Sequence, residues 1–132
     1  MAVDFVLDTS AYSRFFRGDA EFLRPYFTGQ SKVFVPIIVL GELRSGFVLG
    51  SKQAYNEDIL GKFLNSANTD ILELSDQTAR TYAEIFADQR RAGVPVGTND
   101  MWIAALAKDH DLPVLTVDND FARIRGIKLI EL

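Results

Sequence analysis

The stretch Phe5-Val6-Leu7-Asp8-Thr9-Ser10-Ala11 decides the fold that we predict for this chain. Three consecutive apolar residues are typical of a short strand that is buried on both faces. Asp, Thr and Ser follow at once, and these residues commonly precede or begin a helix. A buried strand that passes directly into a helix is the building unit of a parallel sheet covered by helices.

The same strand and helix patterns recur along the chain. Further apolar strands are predicted at residues 32–36, 71–74, 114–117 and 128–132. The first helix is closed by Gly18, and later helical patterns cover 21–30, 37–49, 52–66, 76–91, 98–109 and 121–125. We therefore predict one α/β domain over residues 1–132. Its three α/β/α layers should surround a mostly parallel sheet of about four or five strands.

Composition excludes several kinds of chemistry. With 132 residues, 48% hydrophobic and 24% charged, the chain is ordinary for a soluble globular domain. The absence of cysteine removes disulfides, thiolate metal sites and cysteine nucleophiles, and a single histidine removes paired-histidine catalysis. Because 18 Asp and Glu stand against 14 Lys and Arg, we expect any catalysis to depend on carboxylates.

No targeting or membrane segment is predicted. The N-terminal residues lack a basic region, and Asp8 interrupts the apolar stretch that follows, which argues against a signal peptide. The longest apolar run, residues 33–40, is far shorter than the ~18 residues of a membrane span. We expect a cytoplasmic protein with no membrane partner.

Four acidic residues stand at the ends of strands or near the starts of helices. Asp8 and Asp118 follow predicted strands, whereas Glu42 and Asp100 lie early in predicted helices. Each alone is explained by a turn, by a helix N-terminus, or by an ion pair such as Glu42 with Arg44. Ligand sites of parallel sheets lie beyond the carboxyl ends of the strands, where these acids could converge. A divalent cation such as Mg²⁺ or Mn²⁺ would relieve their repulsion.

Each of these acids also stands in a characteristic sequence block. The blocks are Phe5-Val6-Leu7-Asp8-Thr9-Ser10-Ala11, Leu40-Gly41-Glu42-Leu43-Arg44-Ser45-Gly46, Asn99-Asp100-Met101-Trp102-Ile103-Ala104-Ala105 and Leu115-Thr116-Val117-Asp118-Asn119-Asp120-Phe121. In this order, and over nearly the whole chain, they resemble a PIN domain. More narrowly, the chain is similar to the VapC toxins of bacterial and archaeal toxin–antitoxin pairs.

The resemblance implies a site, an activity and partners. It makes Asp8, Glu42, Asp100 and Asp118 the catalytic, metal-binding quartet, supported by the hydroxyls of Thr9, Ser10 and Thr116, with Asp120 able to reach the metal through water. It further implies a Mg²⁺- or Mn²⁺-dependent endoribonuclease that cuts structured RNA such as tRNA or rRNA. Homodimers and a neutralising VapB-like antitoxin are implied as partners.

Surface residues suggest where such partners could bind. Arg14, Arg17 and Arg44 are the best candidates for contacts to the RNA backbone, although a solvated helix face or an antitoxin contact explains them equally well. The pI of about 4.9 argues against broad electrostatic binding of nucleic acid. Together with the resemblance, the large side chains of the first helix (Tyr12, Phe15, Phe16) and of the segment around Phe47 indicate a homodimer and an antitoxin groove.

Two other functions stay open at this stage. One is a PIN-like protein that binds RNA or a partner without cutting; the other is a phospho-receiver domain, which also has an acidic magnesium pocket. His110 is the single histidine of the chain, and we expect it to lie at the surface. If the chain cuts RNA, a single histidine excludes the two-histidine mechanism that leaves a 2′,3′-cyclic phosphate. Hydrolysis by a metal-activated water would instead leave a 5′-phosphate and a 3′-hydroxyl.

Overall fold

A fully parallel four-stranded sheet forms the centre of the computed structural model, which describes residues 2–132. The strand order is β3-β2-β1-β4, and all three neighbouring pairs are parallel. The strands are β1 (Phe5–Leu7), β2 (Val33–Pro36), β3 (Thr69–Leu72) and β4 (Val114–Leu115). The parallel arrangement brings the carboxyl ends of all four strands to one edge of the sheet.

Six α-helices connect and cover these strands within the described residues. They are α1 (Thr9–Arg17), α2 (Arg24–Thr28), α3 (Ile37–Leu49), α4 (Gln53–Leu64), α5 (Asp76–Ala92) and α6 (Thr98–Asp109). Two 3-10 turns, Glu21–Leu23 and Asn119–Arg123, complete the regular structure. The predicted α/β/α architecture is confirmed. None of the helices in residues 2–132 has the length and apolar character needed to cross a membrane.

The core is built around β1 and α6. All three residues of β1 are fully buried, as expected for the strand that lies between β2 and β4. Residues 103–107 of α6 are fully buried too, and α6 packs directly on β1 and along α5. Alanine at 104, 105 and 107 allows this close approach because its side chain is a single methyl group.

Two strands differ from the sequence prediction. β3 begins two residues earlier than predicted and ends at Leu72. Its partner β2 runs from Val33 to Pro36, and because β2 ends at that proline, the pairing of β3 ends at Leu72. The last predicted strand, residues 128–132, is reduced to a single parallel bridge between Leu129 and Val114. β4 is also shorter than predicted, for a reason that lies in the candidate active site.

Most helices follow their predictions, and the exceptions have local causes. α3 and α6 have the predicted bounds. Ser75 caps α5 through two reciprocal hydrogen bonds with Thr78: the Thr78 N–H donates to Ser75 Oγ, and the Ser75 N–H donates to Thr78 Oγ1, each at 3.2 Å. The helix predicted at 21–30 is divided into a 3-10 turn and α2, which has Pro25 in its first turn. The segment predicted as helical at 121–125 is instead the 3-10 turn Asn119–Arg123.

Candidate active site

The acids at the strand ends lie at the same edge of the sheet. Asp8 directly follows β1 and caps α1 with an extended backbone conformation. Asp118 caps the 3-10 turn that follows β4. Glu42 lies on α3, which directly follows β2, and Asp100 lies in the first turn of α6. Three chain segments that follow adjacent strands therefore deliver acids to one region.

Asp8 is held by two hydroxyl groups. The residue is 3% exposed, and its Oδ2 accepts bonds from Ser10 Oγ at 2.6 Å and from Thr116 Oγ1 at 2.7 Å. A carboxylate oxygen that already accepts two strong bonds has little capacity for a further ligand. Oδ2 of Asp8 is therefore engaged by hydroxyl groups.

The same hydroxyls explain why β4 ends at Leu115 rather than at residue 117. The backbone N–H of Val117 donates to Ser10 Oγ at 3.2 Å, and that of Asp118 donates to Thr116 Oγ1 at 2.9 Å. Backbone donors that are satisfied by side chains do not continue a strand ladder. The chain leaves the sheet two residues early, and Asp118 follows β4 by three residues instead of directly, which corrects the prediction.

A third hydroxyl orients Glu42. Thr9 Oγ1 donates to Glu42 Oε1 at 2.7 Å, which joins the first turn of α1 to α3. The alternative pairing of Glu42 with Arg44 is wrong, because Arg44 Nε donates to Glu57 at 3.1 Å. All three hydroxyl residues predicted to support the site thus touch an acid of the quartet.

Asp100, Asp118 and Asp120 form the tightest group of acids. Each offers a carboxylate oxygen, and these oxygens lie within 4.8 Å of one another. The backbone N–H of Asp120 donates to Asp118 Oδ1 at 2.9 Å, which fixes the turn between them. The sequence left the role of Asp120 undecided, and the structure places one of its carboxylate oxygens within 4.8 Å of those of Asp100 and Asp118.

Crowding of negative charge changes the protonation of this group. Burial raises the pKa of Asp100 to about 7, with further increases from the charges of Asp8, Asp118, Glu42 and Asp120. Burial also raises the pKa of Asp8, although the bonds from Ser10 and Thr116 oppose that shift. Asp100 is therefore the carboxyl that holds a proton most readily near neutral pH.

The residues present fit a hard divalent cation. Every donor in the group is a carboxylate oxygen, the ligand type that Mg²⁺ and Mn²⁺ prefer. Oxygens that lie within 4.8 Å of one another could be brought to one cation by rotation of the side chains. Burial, and then the charges of the neighbouring acids, raise the pKa of Asp100, and a bound cation would oppose both effects.

The three arginines predicted to contact RNA are all paired with carboxylates. Arg14 Nε and Arg17 Nε lie 3.1 and 2.8 Å from the two oxygens of Asp19, and Arg44 pairs with Glu57. Only Arg14 lines the same groove as Asp118. Their contact with RNA stays a prediction, and Arg14 is the member best placed for it.

The remaining side chains singled out by sequence have structural roles. Trp102 stacks on Tyr82 of α5 with ring centroids 4.0 Å apart, as expected for packing between helices. His110 is exposed, and its Nδ1 lies 2.9 Å from the carbonyl of Leu106 one turn earlier, so the surface prediction is confirmed.

The aromatic residues of α1 are divided between interior and surface. Tyr12 is buried, whereas Phe16 is 39% exposed and packs against Tyr12, Phe15 and Phe63. Beside Phe16 runs a groove of about 390 Å³ between α1, α3 and α4, which we call the α1–α3–α4 groove. Its lining residues are Tyr12, Ser13, Phe16, Arg17, Leu43, Phe47, Lys52, Tyr55, Asn56 and Ile59.

Comparison with known proteins agrees with this geometry. The PIN domain family matches residues 5–127. The chain belongs to the PIN-domain family. Ribonuclease VapC5 of Mycobacterium tuberculosis is 32% identical to this PIN domain over 101 residues, which cover 76% of the chain and 75% of that protein. Ribonuclease VapC1 of Rickettsia felis is 31% identical to this protein over 132 aligned residues. The alignment covers 95% of this chain and 93% of that protein.

Solved structures give the same assignment. The crystal structure of DNA-bound VapBC from Salmonella typhimurium contains a chain whose fold matches this protein with a TM-score of 0.82. The two chains are 26% identical in sequence, and the match covers 97% of each. The predicted resemblance to VapC-type PIN domains is confirmed. The phospho-receiver alternative is therefore wrong, and Asp76, which follows β3, is an exposed residue paired with Arg80 on α5.

Replacement of Asp100 by Asn should change how stability depends on pH in metal-free protein. Because the folded-state pKa of Asp100 is raised, folding binds a proton between about pH 4 and 7, and the free energy of unfolding falls as pH rises through that window. At pH 8 Asp100→Asn should be more stable than the wild type by about 1–2 kcal/mol, since solvent screening reduces the effect.

Thermal melts in EDTA at pH 4 and pH 8 measure this difference, which corresponds to several degrees. The two proteins should melt within about two degrees of each other at pH 4, where the folded-state carboxyl of Asp100 is protonated and the unfolded-state carboxyl is about half ionised. Asp58→Asn, on the exposed face of α4, is the control and should show no gain at pH 8. A less stable Asp100→Asn protein at pH 8 would show that Asp100 is a structural acid.

Replacement of Thr116 by Val should weaken metal binding without loss of the fold. Valine keeps the shape of threonine but removes the donor to Asp8 and the acceptor for the Asp118 N–H. Loss of a group that orients a ligand typically reduces metal affinity by about 10–100-fold. Calorimetric titration with Mn²⁺ checks this, with Thr28→Val as control because its hydroxyl bonds only to the Arg24 carbonyl. Unchanged affinity in Thr116→Val would contradict the prediction.

Proposed function

We propose that this PIN domain, a single domain over residues 1–132, is a metal-dependent endoribonuclease that acts as the toxin of a VapBC-type pair. The convergence of Asp100, Asp118 and Asp120, with Asp8 and Glu42 beside them, is the observation that carries the proposal. Membership of the PIN-domain family and the ribonucleases among its relatives support it. Mg²⁺ or Mn²⁺ is the proposed cofactor because the donor set consists of oxygen alone.

The acids have distinct roles in this proposal. Asp100, Asp118 and Asp120 hold the cation, Asp8 contributes its Oδ1, and Glu42 contributes Oε2, because Thr9 occupies Oε1. A bound divalent ion supplies Lewis acidity, which activates water and offsets the charge of the scissile phosphate. Asp100 must lose its proton when the cation binds, so metal affinity should increase as pH rises through about 7.

The available proton carriers decide which products form. Transfer of the RNA 2′-hydroxyl proton in a histidine-pair mechanism needs two imidazoles, and this chain has His110 alone, bound to a helix carbonyl away from the acids. The acidic group favours attack by water on phosphorus, with departure of the 3′-oxygen. The products of that reaction carry a 5′-phosphate and a 3′-hydroxyl.

Substrate and partners follow from the family and the surface. A structured RNA such as tRNA or rRNA is the proposed substrate, approached from the side of Arg14, which lines the groove next to Asp118. A VapB-like antitoxin is the proposed protein partner, and its apolar segment would occupy the α1–α3–α4 groove. We further propose a cytoplasmic location and a homodimer.

The cleavage prediction concerns activity and product ends. Purified protein with Mn²⁺ should cut RNA, and Asp8→Asn or Asp118→Asn should reduce the rate by at least 100-fold while the far-UV circular dichroism spectrum is unchanged. The products should ligate directly, without phosphatase or kinase treatment. Cyclic phosphate ends, or cleavage that persists in excess EDTA, would refute the mechanism. RNA binding without any cleavage by the wild type would favour a non-cleaving PIN-like protein.

The partner prediction concerns the α1–α3–α4 groove. Tyr55 is 64% exposed in this groove, so Tyr55→Asp should keep the fold but abolish co-purification with the product of a small adjacent upstream gene. Phe22→Asp is the matched control, because Phe22 is 54% exposed and lies outside the groove. Light scattering at micromolar concentration should give the mass of a dimer. A monomer with no bound partner would count against both assignments.

A further inference from the structure

Gln89 is a buried amide that lies outside the acidic group. It occupies the last turns of α5 and is 4% exposed. Its Nε2 donates two hydrogen bonds to backbone carbonyls, at 3.2 Å to Val94 and at 2.9 Å to Arg123. Burial of an amide is costly unless its hydrogens find acceptors, so both bonds are needed to keep it there.

The two carbonyls belong to the two segments that carry the acidic triad. Val94 lies in the connection between α5 and α6, four residues before Thr98 begins α6 with Asp100 in its first turn. Arg123 is the last residue of the 3-10 turn that begins after Asp118 and contains Asp120. One amide group on α5 therefore joins the connection that leads into the Asp100 helix to the end of the turn that presents the other two acids.

These two segments need a restraint because their charges repel. Asp100, Asp118 and Asp120 place carboxylate oxygens within 4.8 Å of one another, and like charges at this distance repel. The first turn of α6 and the 3-10 turn are not strands of the sheet, so no ladder of backbone bonds holds them together. A fixed side-chain link between them opposes their separation.

A role limited to ending α5 does not explain the second bond. The helix end is already satisfied by backbone groups, since the Val94 N–H donates to the Gln89 carbonyl at 3.0 Å and Gly93 adopts a left-handed conformation. The bond to Arg123 reaches 34 residues along the chain and adds nothing to helix termination. Its effect is to connect α5 with the turn that carries Asp118 and Asp120.

We propose that Gln89 is a positioning residue for the acidic triad, and that its amide sets the spacing between Asp100 and the Asp118–Asp120 pair. The inference rests on the proposed function, in which this triad holds a divalent cation. Two donors on one planar nitrogen are required, so neither methionine nor glutamate can replace glutamine, although both match its length.

The first test measures Mn²⁺ affinity by titration calorimetry. Gln89→Met should bind Mn²⁺ about 10-fold more weakly than the wild type, the smaller effect expected for loss of a group that orients ligands. Gln77→Met is the matched control, because Gln77 is exposed on the same helix, and it should bind within about two-fold of the wild type. A lower melting temperature with wild-type affinity would show a purely structural role and overturn the proposal.

The second test needs no metal and separates this inference from the proposed function. In EDTA, Gln89→Met should lower the melting temperature more in the Asp118→Asn background than in the wild type. When all three acids are charged, loss of the Gln89 link lets them move apart, and the relief of their repulsion offsets part of the lost stability. When Asp118 is replaced by Asn, less repulsion remains to be relieved, so the loss is larger. Additive shifts would overturn the proposal. If the wild type binds no Mn²⁺, the proposed function fails, and this thermal cycle alone decides the inference.

A shorter amide keeps both tests usable if Gln89→Met does not fold. Gln89→Asn retains the polar group, but its side chain is one methylene shorter and can reach at most one of the two carbonyls. It should show the same weaker Mn²⁺ binding and the same non-additive shift with Asp118→Asn. Wild-type affinity together with additive melting would count against Gln89 as a positioning residue.

Discussion

Repulsion among carboxylates is the constraint on which the arrangement of this PIN domain depends. Burial raises the pKa of Asp100, and the charges of four further acids, Asp8, Asp118, Glu42 and Asp120, raise it more. A site of this kind persists only if stronger interactions oppose the separation of its parts. The fully buried strand β1 and the buried segment 103–107 of α6 supply that resistance, since they fix the ends from which Asp8 and Asp100 project. Packing in the core thus stabilises the fold, and repulsion among the acids at the edge of the sheet offsets part of that stabilisation.

Small polar groups convert that rigid frame into a specific geometry. Ser10 and Thr116 hold one oxygen of Asp8, and Thr9 holds one oxygen of Glu42. The hydroxyls of Ser10 and Thr116 also accept bonds from the backbone of residues 117 and 118, which ends β4 and begins the turn toward Asp118. These two hydroxyls therefore orient an acid and terminate a strand at once.

The outer surface follows a different rule, in which charge is neutralised locally. Arg14, Arg17 and Arg44 are each paired with a nearby carboxylate, and the chain as a whole has a net charge of −4. Long-range attraction of RNA is therefore weak, and binding must depend on contacts close to the acidic group. Exposed apolar residues occur both away from the acids and beside them: Val48, Leu49 and Tyr55 lie on α3 and α4, whereas Phe22 and Leu132 line the groove that contains Asp118.

The sequence by itself determined the fold class, because buried strands have local signals, and it singled out Asp8, Glu42, Asp100 and Asp118 as candidates. Apolar runs such as Phe5–Leu7 identify buried strands, and an acid placed directly after such a run, as Asp8 is, lies at the carboxyl edge whatever the details of packing. Tertiary structure alone decided where β3 and β4 end, since strand length depends on partners that are distant in sequence. It also brought Asp120 into the triad and gave Gln89 its two carbonyls. Asp120 lies 20 residues after Asp100, and the carbonyl of Arg123 lies 34 residues after Gln89. No local pattern of residues encodes a contact across such a distance.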